Sequence, residues 1–330
     1  MSLSAPKGLN TANSLKGNHG TENSAKTRAL RIPNLFAGIL GGDAPRNPHE
    51  ESIAPMSEAW TKELVKMDPK MSKILTKANF AYLISLSAPD ADPEAFRMAV
   101  DWCIWAFVFD DQFDEGWMRD RTIESAEEMI ETLAIMDDTY PVVDPKRYPL
   151  RYMFQTVWHR FQEVKINCRP QPRPDPDPDP DLLRGRSGAD YRWSHGISLT
   201  QDILDHPSLV TCERAASDLT WLVNDVLSYK KDLAFGVEHN IICLYKRQGF
   251  SEQEAMDKTG DLMAECQRDW DDAIEKLPSW GDEVDKQVQR YLGACRDVAR
   301  ANMLWSFKSG RYLNADEAAL VRKTSIMNVQ

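Results

Sequence analysis

The chain has 330 residues, 42% of them hydrophobic, and a formal net charge of −11. That is ample for a sizeable core in one large domain or two ordinary ones, while the acidic balance excludes nucleic acid and anionic lipid as partners, since both need a basic face. No segment approaches the roughly 18 to 20 uncharged apolar residues of a membrane helix, and the N-terminus lacks the apolar block of a signal peptide, so a cytoplasmic protein is expected, with monomer and homodimer both open.

Six cysteines, Cys103, Cys168, Cys212, Cys243, Cys266 and Cys295, show no short paired spacing, which argues against a zinc site or a disulfide framework. Residues 1–30 are rich in Ser, Asn, Gly and Lys without a hydrophobic period, the composition of a disordered tail. From "RIPNLF" onward, apolar residues recur at three- and four-residue spacing. This predicts helices over 57–68, 71–87, 94–115, 122–136, 147–167, 208–233, 252–276 and 282–308; no strand stands out.

Helix starts are legible where Asp92 precedes Pro93 and where Asp205 or His206 precedes Pro207, a capping residue followed by proline in the first turn. Long helices with short connections predict an all-α fold, a single helical bundle over residues 31–315, with a C-terminal tail at 316–330. One connection differs. The loop 169–181 holds six of the 19 prolines, alternating with aspartate from Pro174 to Asp181, and such a run is extended, solvated polyproline II.

The stretch "FVFDDQFDEGW" places Asp110, Asp111, Asp114 and Glu115 at the end of the most apolar run in the chain. Like charges this close repel, and burying one uncompensated is costly, so a cationic partner is expected. On a helix Asp110 and Asp114 lie about 40° apart and Asp111 about 60° from Asp114, so the three carboxylates share one face. Phe107 sits one turn earlier on that face.

A second oxygen-rich cluster is "NDVLSYKKD". Asn224, Ser228 and Asp232 stand at i, i+4 and i+8 within an arc of about 80°, and Lys231 falls in the same arc. Amide, hydroxyl and carboxylate oxygens suit Mg2+, which commonly bridges protein carboxylates to substrate phosphates. Metal sites in all-α proteins are built from helices that carry such donors.

With these motifs the sequence resembles the class I terpene synthases, specifically the fungal and bacterial single-domain sesquiterpene cyclases. "DDQFDEG" is similar to their aspartate-rich motif and "NDVLSYKKD" to their second metal motif. "WSFKSGRY" carries their Arg-Tyr pair at Arg311 and Tyr312, with an aromatic six residues before the arginine at Trp305. "HNII" from His239, "RIPNLF" and "NPHEE" extend the resemblance over about residues 30 to 315, and motifs in family order are more specific together than singly.

The resemblance implies three Mg2+ ions, with Mn2+ as the alternative metal, and a prenyl diphosphate substrate, farnesyl diphosphate first among them. Asp110 would be the principal ligand of the first motif, with Asp111 or Asp114 acting through water. Asn224, Ser228 and Asp232 would hold the remaining ion, and Lys231, Arg311 and Tyr312 would bind the diphosphate. The family's diphosphate-sensing arginine falls at Arg184 in "LLRGRSG", followed by Ser187 and Gly188, with Arg186 and Arg192 as substitutes. Only 40 residues separate Arg184 from Asn224, which leaves a shortened segment after the sensor.

A hydrocarbon cation needs a dry wall that attracts it without reacting, and aromatic faces provide one; Phe80, Phe107 and Trp305 are the candidates. The competing readings are a chain-elongating prenyl diphosphate synthase, which would carry a second aspartate-rich motif in place of "NDVLSYKKD", and an inactive helical scaffold.

Overall fold

The computed structural model describes residues 27–114, 116, 118–137, 139–167 and 197–329. In chain order the helices are α1 (Glu50–Leu64), α2 (Pro69–Ala78), α3 (Phe80–Ser87), α4 (Pro93–Asp114), α5 (Thr122–Ala134), α6 (Pro149–Asn167), α7 (Gln201–Leu204), α8 (Pro207–Phe235), α9 (Ile241–Arg247), α10 (Glu252–Glu275), α11 (Asp282–Lys308) and α12 (Ala315–Thr324). The fold is all-α, as the hydrophobic period predicts.

The expected absence of strands is corrected at the chain ends. Strand β1 (Arg28–Arg31) pairs antiparallel with β2 (Ile326–Val329), Leu30 opposite Met327. Both residues are buried. The tails assigned to 1–30 and 316–330 therefore each contain part of an ordered element, α12 included. Four-residue strands are too short to show alternation in the sequence.

Two helix boundaries also moved for local reasons. The apolar pattern over 71–87 is split between α2 and α3 at Asn79, whose backbone is left-handed at φ 48°, a conformation Asn tolerates better than most residues. α1 starts at Glu50 rather than 57 because Asn47 organises the entry, its side-chain oxygen accepting from the His49 N–H at 2.9 Å. Pro55 lies inside this helix and interrupts the pattern on which the sequence reading relied.

Contacts divide the chain into two compact units. The first gathers Glu51–Phe80 with Arg97–Asn167. In it the carboxylate of Asp101, fully buried, accepts from Arg97 Nε one turn earlier and from Arg160 Nη1 of α6 at 2.8 Å. This clamps α4 to α6. Along α4 Trp105 stacks on Phe109 and Phe109 meets Phe113 edge to face, centroids 5.0 Å apart in each pair, and Trp105 also meets Phe154 of α6 at 4.6 Å.

The second unit comprises Thr27–Glu50, Ala81–Phe96 and the described chain from 197 onward. Its centre is α8, packed on α10 and α11, with Leu209, Cys212, Leu219, Val223, Val226 and Tyr229 buried. His206 caps α8, its Nδ1 accepting from the Ser208 N–H at 3.2 Å, which decides between the two capping candidates. Asp92 likewise caps α4, accepting from the N–H groups of Glu94 and Ala95. The Tyr229 hydroxyl reaches Glu252 of α10 at 2.6 Å, and Lys246 and Arg28 also pair with that carboxylate. One acid thus ties α8, α9, α10 and β1 together.

Candidate active site

The C-terminal end of α8 shows how the second motif is held. Gly236 takes φ 67° and Val237 donates its N–H back to Asp232 O at 2.9 Å, a reversal that ends the helix and suits glycine. The chain turns so sharply that Asn240, four residues on, lies against the helix it has just left.

Asn240 is 1% exposed. Its Nδ2 donates to Asp225 O at 2.8 Å and to Asp232 Oδ2 at 2.9 Å, while its Oδ1 accepts from the Ile242 N–H at 3.0 Å and so caps α9. Ser228 Oγ donates to the same Asp232 Oδ2 at 2.5 Å. Two donors on one oxygen fix the rotamer of a buried carboxylate.

Asp225 accepts from the Ile241 N–H at 2.7 Å. Burial pushes its carboxyl up to about 6; that backbone bond opposes the shift, Asp232 adds to it and His239 opposes it. Asp225 and Asn240 escaped the sequence reading as supports of the site, although an Asn directly before the apolar run "IICL" is a helix-start signal.

The third motif arrives through another glycine. After α11, Gly310 at φ 65° reverses the chain, and Tyr312 returns edge-on to Trp305 with ring centroids 5.9 Å apart. The Tyr312 hydroxyl oxygen accepts from Asn224 Nδ2 at 3.0 Å. Burial pushes this phenol above its usual range, and Arg311, the Asn224 bond and Lys231 pull in the opposite direction. Asn224, Lys231, Arg311 and Tyr312 therefore form one electrostatic group. Trp305 has no exposed surface.

The first motif belongs to the other unit. Asp110 is exposed and Asp111 half-buried in the last turn of α4, and Asp114 is that helix's final residue. On the same helix Phe107 stacks on Phe80, centroids 4.5 Å apart and planes 27° from parallel, so two of the proposed wall aromatics are one stacked pair. Arg184, its substitutes Arg186 and Arg192, and the Pro-Asp run lie outside the described residues.

Among the described residues no group of three or more His, Cys, Asp or Glu converges on a point. The α8 set differs in kind: one carboxylate with an amide and a hydroxyl, hard oxygen donors carrying little negative charge. With Nδ2 committed to Tyr312, Asn224 has its Oδ1 to offer. The donor set fits Mg2+ and leaves charge to be balanced by a polyanion.

Comparisons with known proteins agree with this chemistry. The family model described as terpene synthase family 2, C-terminal metal binding, matches residues 101–173 and 191–269, which takes in both acidic motifs. The chain is 55% identical over 336 residues to cycloaraneosene synthase sdnA of Sordaria araneosa, with 92% of each covered. It is 34% identical over 330 residues to (+)-eremophilene synthase of Gibberella fujikuroi, covering 91% of this chain and 92% of the relative. The crystal structure of germacradien-4-ol synthase from Streptomyces citricolor shares the fold, with a TM-score of 0.61 at 22% identity over 83% of this chain and 97% of that one. By identity, coverage and matched metal-binding domain, the chain belongs to the class I terpene synthase family.

Proposed function

We propose that the protein is a Mg2+-dependent cyclase that ionises a prenyl diphosphate, farnesyl diphosphate first among its substrates, and closes the resulting carbocation with release of diphosphate. The observation that carries this reading is the hydrogen-bonded constellation at the C-terminal end of α8, in which Ser228 and Asn240 orient the buried Asp232 while Tyr312 orients the half-buried Asn224.

Asn224, Ser228 and Asp232 would hold Mg2+, and the family resemblance gives Asp110, with Asp111 or Asp114 through water, a metal-binding role of its own. Bound there, the metal supplies Lewis-acid stabilisation of the leaving diphosphate. Lys231 and Arg311 contribute fixed positive charge to the same oxygens, which is worth most where water is excluded. Tyr312, its hydroxyl oxygen already accepting from Asn224, has its proton to donate to diphosphate. The stacked faces of Phe80 and Phe107 stabilise a cation by about 0.5 to 2 kcal/mol each without adding to it. Arg184 keeps the sensor role that the family resemblance gives it.

The test is incubation of purified protein with geranyl, farnesyl and geranylgeranyl diphosphates, with and without Mg2+, reading diphosphate release and volatile products. Cyclic hydrocarbons from farnesyl diphosphate only with Mg2+ are expected. Cyclic products from geranylgeranyl diphosphate alone would overturn the chain length and keep the mechanism. Longer prenyl diphosphates formed only with added isopentenyl diphosphate would replace cyclisation by elongation.

A further inference from the structure

The polar face of α8 continues well below its metal motif. Glu213 precedes Asn224 by eleven residues, so the two fall within about 20° on the helix and about 16 Å apart along it. Ser217, between them, lies within about 40° of Glu213. Both are buried, at 6% and 9% exposure.

Tyr291 of α11, also buried, donates its hydroxyl to Glu213 Oε2 at 2.8 Å. Glu213 Oε1 is buried with no hydrogen-bond partner. A carboxylate oxygen shielded from water and left unsatisfied is costly, and packing alone would favour an apolar or fully bonded group at this position.

We propose that Glu213 is the base that ends the carbocation cascade, with Tyr291 as its positioning residue. The inference rests on the cyclase reading above and deepens it. The Tyr291 bond engages Oε2 and so presents Oε1. In the final step a C–H bond beside the cationic carbon breaks, its electron pair becomes the new C=C bond and cancels the charge, and the proton forms an O–H bond at Oε1. That proton passes to water as product leaves, and the carboxylate is restored. The distance along α8 separates this acceptor from the diphosphate end and places it toward the hydrocarbon end of an extended chain.

The experiment compares wild type, Glu213→Gln, Glu213→Asp and Tyr291→Phe as full-length proteins with Mg2+ and each prenyl diphosphate. Total diphosphate release, the product mixture by gas chromatography and mass spectrometry, and thermal melting are read for each. In Glu213→Gln the wild-type main product should fall by about 100-fold, the lower range for loss of a general base. Diphosphate release should fall far less, the difference appearing as olefins deprotonated elsewhere and as water-captured alcohols. Tyr291→Phe should shift the mixture the same way by a smaller factor, and Glu213→Asp should restore part of the main product.

An unchanged mixture in both Glu213→Gln and Tyr291→Phe, whatever the loss in melting temperature, would overturn the proposal and leave the dyad a packing feature. If Glu213→Gln does not fold, Tyr291→Phe against wild type decides on the same readout. Wild type that releases no diphosphate would instead sink the cyclase reading, a failure distinct from an unchanged mixture.

Discussion

Asn240→Ala tests whether the turn after α8 exists to aim Asp232. The substitution removes the α9 cap, worth about 1 kcal/mol, and the bond to a buried carboxyl group, a class of bond worth about 1.5 to 3 kcal/mol. The bond to Asp225 O is neutral and adds about 1 kcal/mol at most. Since Ser228 keeps hold of Asp232 Oδ2 at 2.5 Å, the expected loss is about 3 to 4 kcal/mol, short of complete unfolding for a typical domain. It is read from the urea midpoint at constant slope. A carboxylate released to other rotamers should also bind metal more weakly, by about 10- to 100-fold as for other outer ligand supports. That loss is read as a rightward shift in the Mg2+ concentration giving half-maximal diphosphate release. A fall in stability with an unshifted Mg2+ curve would refute the positioning argument and make Asn240 a helix cap only.

The remaining predictions concern the frame around the site. Asp101→Ala strands Arg97 and Arg160 beside an emptied buried position and should cost about 3 to 5 kcal/mol in urea unfolding; a loss below 1 kcal/mol would show that the α4–α6 clamp is idle. Burial pushes the Cys212 thiol from 9.0 up to about 12, so the native state holds a proton that the unfolded chain releases. Its contribution is complete below about pH 9 and lost as pH climbs toward 12, and Cys212→Ala should flatten that alkaline limb. Burial works against Glu252, but Tyr229, Lys246 and Arg28 hold it below its usual 4.5. Its contribution is present above about pH 4.5 and lost as acid protonates it in the fold; Glu252→Gln should therefore show a shallower acid limb than wild type, and an identical limb would count against the network.

How much of this was legible in the sequence depends on the length over which each feature acts. The three- and four-residue period located the long helices α4, α5, α6, α8, α10 and α11 to within a few residues, because all but α5, whose Ile123, Met129, Ile130 and Leu133 are exposed, bury apolar residues at that spacing. α7 and α9, of four and seven residues, are too short to show a period. The spacing of Asn224, Ser228 and Asp232 was readable because one helix sets it. Asn240 was not, because its reach to Asp232 depends on the Gly236 reversal, and glycine announces a helix end without saying where the chain goes next. The contact of Trp305 with Tyr312 was not readable for a similar reason, because it depends on the turn at Gly310.

The buried polarity of α8 separates support from function. A polar group inside a core is tolerated when its partners are supplied, and a partly satisfied network is worse than an apolar one. Toward the C-terminal end the accounts close: Asp232 has Ser228 and Asn240, Asn224 has Tyr312, and the Thr220 carbonyl accepts from Asn302 of α11 at 3.0 Å. Each of these bonds holds a polar group of the helix in one orientation. At Glu213 the account stays open by one oxygen, on the same helical face and beside an aromatic hydroxyl that could as readily have been a phenylalanine ring had packing been the whole requirement. For the cyclase proposed above, metal donors at one end of α8 and an unsatisfied buried acceptor about 16 Å along the same helical face would provide the polarity that a cascade needs, with departure of an anion at one end and of a proton at the other.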